Sequence, residues 1–176
     1  MSELLWGIWL FLPAGIANAA PVLVAKIPGL KNWDTPLDMG QTWHGKRLLG
    51  PNKTWRGVIC GSLLAGIFAV FQHMLWVQDP NNETLFIHFC LGLLLGTGAL
   101  LGDAIESFFK RKKGVKSGDS WFPYDQTDYI IGGLLFSYPL MQPSGPVMFG
   151  ILITYFVLHL LTRYIGYLSG INDKPV

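Results

Sequence analysis

Gly102-Asp-Ala-Ile-Glu-Ser-Phe-Phe-Lys-Arg-Lys-Lys-Gly-Val-Lys-Ser-Gly-Asp-Ser-Trp-Phe-Pro-Tyr-Asp-Gln-Thr-Asp128 is a dense run of acids and bases set between two stretches with no charge at all, residues 85–101 before it and 129–141 after it. Across the 176 residues, 51% are hydrophobic and only 14% are charged. A soluble domain carries about 25% charged residues, so this chain is built for a different solvent. The apolar residues also cluster into runs long enough to cross a bilayer, which takes about 20 residues of helix. The chain therefore reads as an all-α integral membrane protein, and its short polar connections leave room for one domain only, residues 1–176.

Five spanning helices are predicted: Leu4–Ala25, Val58–Val77, Leu85–Leu101 continuing towards Phe109, Asp125–Met141, and Val147–Leu161 running on to Leu168. The fourth reaches spanning length only by starting at Asp125. Lys26, Lys31, Lys46, Arg47, Lys53 and Arg56 lie between the first two spans, and Lys110, Arg111, Lys112, Lys113 and Lys116 between the third and fourth. The connections 78–84 and 142–146 hold no Lys or Arg. The positive-inside rule then places both basic loops and the C-terminus in the cytoplasm and the N-terminus outside, in a multi-pass protein of the cell membrane whose active site faces the cytoplasm. Ala17-Asn18-Ala19 resembles a signal cleavage site, but no basic residue precedes the apolar run and the run continues past it, so a retained helix is expected. Asn18 and Pro21 are expected to break this first span. Gly57-x-x-x-Gly61, Gly92-x-x-x-Gly96 and Gly98-x-x-x-Gly102 permit close packing within the chain or between copies, and so a homodimer. Cys60 and Cys90 sit in apolar runs and read as small core residues rather than a disulfide framework.

The chemistry is read from the polar segments. Asp103 and Glu106 are three residues apart and share a helix face, with Ser107 and Lys110 extending the stripe. An acid directly after seventeen uncharged residues is costly in a membrane unless it has a partner. Asp125 and Asp128 repeat the spacing at the start of the next helix, where one acid serves as a cap but two are harder to explain so. Asp103, Asp125 and Asp128 converging from two helices make an oxygen-donor site suited to Mg²⁺, with Glu106 as an outer ligand. His73, His88 and His159 are isolated in apolar spans and read as core or interface residues. Lys53-Thr54 is not a P-loop, because Gly50 and Lys53 are separated by Pro-Asn. Even so, Lys53, Thr54 and Arg56 beside a Gly/Pro turn, with Lys110 and Arg111, provide donors for phosphate oxygens. Acids and bases together call for a ligand that wants both, and a metal-bound nucleoside triphosphate is such a ligand. No nucleophile–base pair is present, so direct phosphoryl or nucleotidyl transfer is expected, with no nucleic-acid partner.

Ala17-Asn18…Pro21, Leu37-Asp38…Gly40, Arg47…Gly50…Lys53-Thr54-Trp55-Arg56-Gly57 and Gly102-Asp103-Ala104…Ser107-Phe108…Lys110-Arg111…Gly114…Gly118…Pro123…Asp125-Gln126…Asp128 run in order over most of the chain. In these blocks it resembles the CDP-archaeol synthases, membrane cytidylyltransferases related to the CDP-diacylglycerol synthases. It departs from the latter in having Lys116-Ser-Gly-Asp119 where Lys and Asp would be adjacent, and no His-Gly-Gly. The resemblance implies that CTP and a lipid phosphate give a CDP-lipid and pyrophosphate with Mg²⁺, at a site served by the bilayer and the cytosol. It also implies that Asp103, Asp125, Asp128 and Lys110 are catalytic and that Lys53, Thr54, Arg56, Ser107, Lys110 and Arg111 face the triphosphate. Arg47 and Asn18 are then assigned to the lipid phosphate or to loop structure. Two other readings compete: an adaptor that holds anionic lipids or a cytoplasmic partner through its basic loops, and a small transporter, which so few ionisable residues in the spans disfavour.

Overall fold

The computed structural model describes residues 2–76, 84–116 and 119–170. Five helices and one small hairpin follow in the order α1 (Glu3–Val24), β1 (Thr42–Trp43), β2 (Lys46–Arg47), α2 (Trp55–Trp76), α3 (Leu85–Lys112), α4 (Tyr124–Ser137) and α5 (Gly145–Leu168). The connection 77–83, residues 117–118 and the C-terminal residues 171–176 lie outside the described residues, and with them most of the expected loop without Lys or Arg and the chain end.

Among the described residues four helices, not the five expected, are long and apolar enough to cross a membrane: α1, α2, α3 and α5. At 14 residues, α4 rises about 21 Å, short of a hydrocarbon core of about 30 Å. It still starts at the charged end, where Asp125 meets Lys110 at 2.5 Å. Past its end, the chain through residues 138–144 reaches the far end, where the Ser144 hydroxyl donates to Glu3 at 3.2 Å. The helix stops early because Tyr138-Pro139 follows, and proline cannot extend it. By contrast, α3 at 28 residues is about 42 Å long, more than an apolar layer of about 30 Å requires, and its charged residues lie in its C-terminal third.

The expected break in the first span does not occur: α1 runs unbroken through Pro13 and Pro21. Pro21 lies in its last turn, and the Ala25 N–H still reaches the Pro21 carbonyl at 3.1 Å. The core gathers Phe11 and Ala14 of α1, Leu95 and Ala99 of α3, Ile130 of α4 and Ile151 of α5, all fully buried. Tyr155 joins three helices, donating its hydroxyl to Ile8 at 2.8 Å while its carbonyl accepts from Tyr129 at 3.0 Å.

Small residues set the tightest contacts. A Cβ at Gly98 would overlap the Gly132 carbonyl, and one at Gly102 the Asp128 carbonyl, so α3 and α4 pack backbone to backbone. Gly92 and Gly96 face Ala65 and its neighbours on α2, while Gly57 and Gly61 face Pro21 and Ala17 of α1. Each of the three Gly-x-x-x-Gly motifs is thus spent inside the chain.

Candidate active site

The segment between α1 and α2 is held by its own polar groups. Thr42 and Trp43 pair antiparallel with Arg47 and Lys46 around a turn in which His44 and Gly45 both take positive φ. Asp38 is the hub: it accepts from Arg47 Nη2 at 2.7 Å and from the Gly40, Leu49 and Gly50 N–H groups at 3.0, 3.0 and 3.3 Å. Burial disfavours its ionisation, but Arg47 and these N–H groups outweigh burial and hold the carboxyl at about 2. Arg47 is correspondingly raised by the same hydrogen bond.

This architecture engages several residues expected to hold phosphate. Arg56, buried, donates Nη1 to the Leu30 and Lys31 carbonyls at 3.0 Å each and so fixes the turn after α1. Thr54 accepts from the Gly57 N–H at 3.2 Å and caps α2. Arg47 belongs to Asp38. Only Lys53 turns away, its ammonium lying 2.5 Å from Asp103 Oδ2 on α3.

The acids sort differently from their spacing. Asp103, Glu106 and Asp128 each offer an oxygen, all within 4.8 Å of one another. Asp125 stands outside that group. It accepts from Lys110 Nζ at 2.5 Å and from the Trp121 N–H at 2.7 Å, closing the turn that starts α4. Glu106, expected at the periphery, is in the trio instead, because one turn of α3 separates it from Asp103 and α4 brings Asp128 across the glycine seam. Lys110 reaches Glu106 at 4.0 Å, its side chain buried to a degree between those of Glu106 and Asp125.

A buried acidic cluster of this kind could coordinate a divalent metal. Glu106 Oε1 is buried and accepts no hydrogen bond among the described residues. Three carboxylates so close repel one another unless a cation or proton intervenes. An all-oxygen donor set suits a hard divalent cation.

A polar cavity of about 220 Å³ adjoins the trio. Asn18, Lys53, Ser107, Lys110 and Arg111 of the expected set line it, and so do Asn52, Asp119, His159 and Arg163, which were not assigned there. The signal for the last two was in the sequence. His159 and Arg163 are four residues apart on α5, hence on one face, and a cation within an apolar span marks a functional position as surely as Asp103 does.

The chain is thus a multi-span helical membrane protein in which acids and bases converge on one polar cavity at the end of its longest helix. The chain superposes on a solved structure described as an intramembrane enzyme for archaeal membrane lipid biosynthesis, with a TM-score of 0.74, 31% identity, and 91% and 94% of the two chains covered. The CDP-archaeol synthase family model matches residues 1–176. Proteins named CDP-archaeol synthase from Thermococcus kodakarensis, Pyrococcus horikoshii and Methanopyrus kandleri are 34%, 36% and 38% identical, over 99%, 99% and 98% of this chain and 98%, 98% and 94% of theirs. The chain belongs to the CDP-archaeol synthase family.

Proposed function

We propose that residues 1–176 act as one catalytic unit that transfers a cytidylyl group from CTP to a membrane lipid phosphate, giving a CDP-lipid and pyrophosphate. Family membership supports nucleotidyltransferase activity and so favours this reading over an adaptor. One observation carries the chemistry: Asp103 and Glu106 of the trio line one cavity with the bases Lys53, Lys110 and Arg111, and Asp128 completes the trio behind them.

Asp103, Glu106 and Asp128 would hold Mg²⁺. When bound, it neutralises charge on the triphosphate and aligns it. Lys110 and Arg111 attract the phosphate oxygens, and Asp125 keeps the Lys110 ammonium aimed. Lys53 couples the first basic segment to Asp103. Ser107 and Asn18 offer neutral hydrogen bonds from α3 and α1. Thr54, Arg56 and Arg47 serve by shaping the segment that carries Lys53. An oxygen of the lipid phosphate forms a bond to the α-phosphorus of CTP while the α–β P–O bond breaks and its electron pair leaves on pyrophosphate. Any proton on the attacking phosphate is released to solvent. No covalent enzyme intermediate is needed.

The basic residues at this end support a cytoplasmic site, where CTP is available. The reading requires no nucleic acid and no second copy, the glycine faces that would admit a homodimer being spent within the chain. The test is an assay of the purified protein with Mg²⁺, each of the four ribonucleoside triphosphates and a panel of lipid phosphates, following pyrophosphate. CTP-dependent, lipid-dependent release is expected, and its absence with every acceptor would refute the reading.

A further inference from the structure

An apolar groove of about 380 Å³ runs along the α3–α4 seam, distinct from the polar cavity but sharing Glu106 with it. Its walls are Ile105 and Phe109 of α3 and Ile131 and Leu135 of α4, each with about half or more of its surface exposed. Its floor includes Gly102 and Gly132, where the two backbones touch and no side chain fills the space. Two charged residues also line this hydrocarbon-facing groove, Glu106 and Asp128. Both belong to the trio, and Glu106 lines the polar cavity as well. A molecule in the groove therefore has its apolar part against aliphatic and aromatic side chains and its head beside the acids. A bulk lipid has no reason to meet buried carboxylates, whereas a lipid that delivers a phosphate to a cation held there does. The shortness of α4 and its close contact with α3 leave this route open to the bilayer.

We infer that the α3–α4 groove seats a hydrocarbon chain of the acceptor lipid phosphate and guides its phosphate to Asp103, Glu106 and Asp128. This rests on the cytidylyltransfer reading and deepens it. Chain recognition then lies with Ile105, Phe109, Ile131 and Leu135, away from the nucleotide cavity.

Ile131→Trp and Leu135→Trp fill the groove from its open side. Each is assayed with a long-chain lipid phosphate and with a water-soluble analogue bearing two six-carbon chains. The long-chain kcat/KM is expected to fall at least about tenfold further than the short-chain value, the equivalent of roughly two lost methylene contacts, while the KM for CTP holds. Equal falls for both acceptors, or none, would overturn the groove. No wild-type turnover with any acceptor would instead defeat the cytidylyltransfer reading itself.

Photo-crosslinking of the unmutated protein by a lipid phosphate with a diazirine on its chain gives a second measurement that does not depend on folding of a variant. Adducts on residues 105–109 and 131–135 are expected to be competed by unlabelled lipid phosphate and not by the same lipid without its phosphate. Adducts indifferent to the phosphate would mean bulk bilayer. A disulfide between two copies of Leu135→Cys would mean a self-association face. Either result overturns the assignment.

Discussion

The two basic segments look alike in sequence and are used in opposite ways. Between α1 and α2, the guanidinium of Arg47 is spent on Asp38 and that of Arg56 on the Leu30 and Lys31 carbonyls, so charge there builds a loop. At the end of α3, Lys110 and Arg111 line the cavity, and Lys110 is itself held between two acids. Lys53 crosses from the first region to the second. The lesson is that a cation close to backbone carbonyls or a hub acid is consumed locally. One on a rigid helix, next to acids from another helix, lines the cavity instead.

The largest effect that could break this comparison lies in the trio. Asp103→Asn and Asp128→Asn are expected to reduce CDP-lipid formation by about 10²-fold or more, as loss of a preorganised charge at a phosphoryl-transfer site does. Both proteins should still insert and pack. Full activity in both would end the metal assignment. Chelation of divalent cations should abolish turnover in the wild type and Mg²⁺ should restore it, measured as pyrophosphate release.

Lys110→Met should damage both function and fold, because it leaves Asp125 and Glu106 buried without their cation. Losing one partner of a buried pair costs about 3–5 kcal/mol, so a lowered melting temperature in detergent should accompany lost activity. Loss of activity with an unchanged melting temperature would show the pair to be purely catalytic.

Arg56→Lys sharpens the contrast from the other side. One ammonium cannot keep the same planar reach to two carbonyls, and a charged hydrogen bond is worth about 1.5–3 kcal/mol. Stability should fall while the KM for CTP changes little. A large rise in that KM would return Arg56 to the phosphates.

The smallest effect is the pH response of the Asp38 hub. Its folded-state pKa lies below the ordinary carboxylate value, at about 2. Its contribution is therefore fully present above the unfolded pKa of about 4 and is lost as pH falls towards about 2. Asp38→Asn should flatten that part of the acid unfolding curve, read by circular dichroism, and an unchanged curve would remove Asp38 as the loop's hub.

Much of this was legible from residue order. Hydrophobic runs placed α1, α2, α3 and α5 to within a few residues, because spanning length and the absence of charge are properties of the chain alone. The stretch from Asp103 to Asp128 exposed itself as a site because charge beside a bilayer is costly. The fourth span was overcounted because a hydropathy run measures apolar length, while a helix ends where proline and packing end it. His159 was taken for a core or interface residue because its neighbours in sequence are apolar, whereas in space it lines the same polar cavity as Lys110 and Asp125.

The sequence by itself determined a multi-span helical bundle, the end that carries charge, and the residue types that chemistry there requires. Only the tertiary structure decided that Glu106 rather than Asp125 completes the trio, that Arg56 bonds the turn after α1 while Thr54 caps α2, and that an apolar groove opens beside the acids. The physical reason is that helical spacing sets which side chains share a face, but the glycine seam between α3 and α4 sets how far apart two such faces lie.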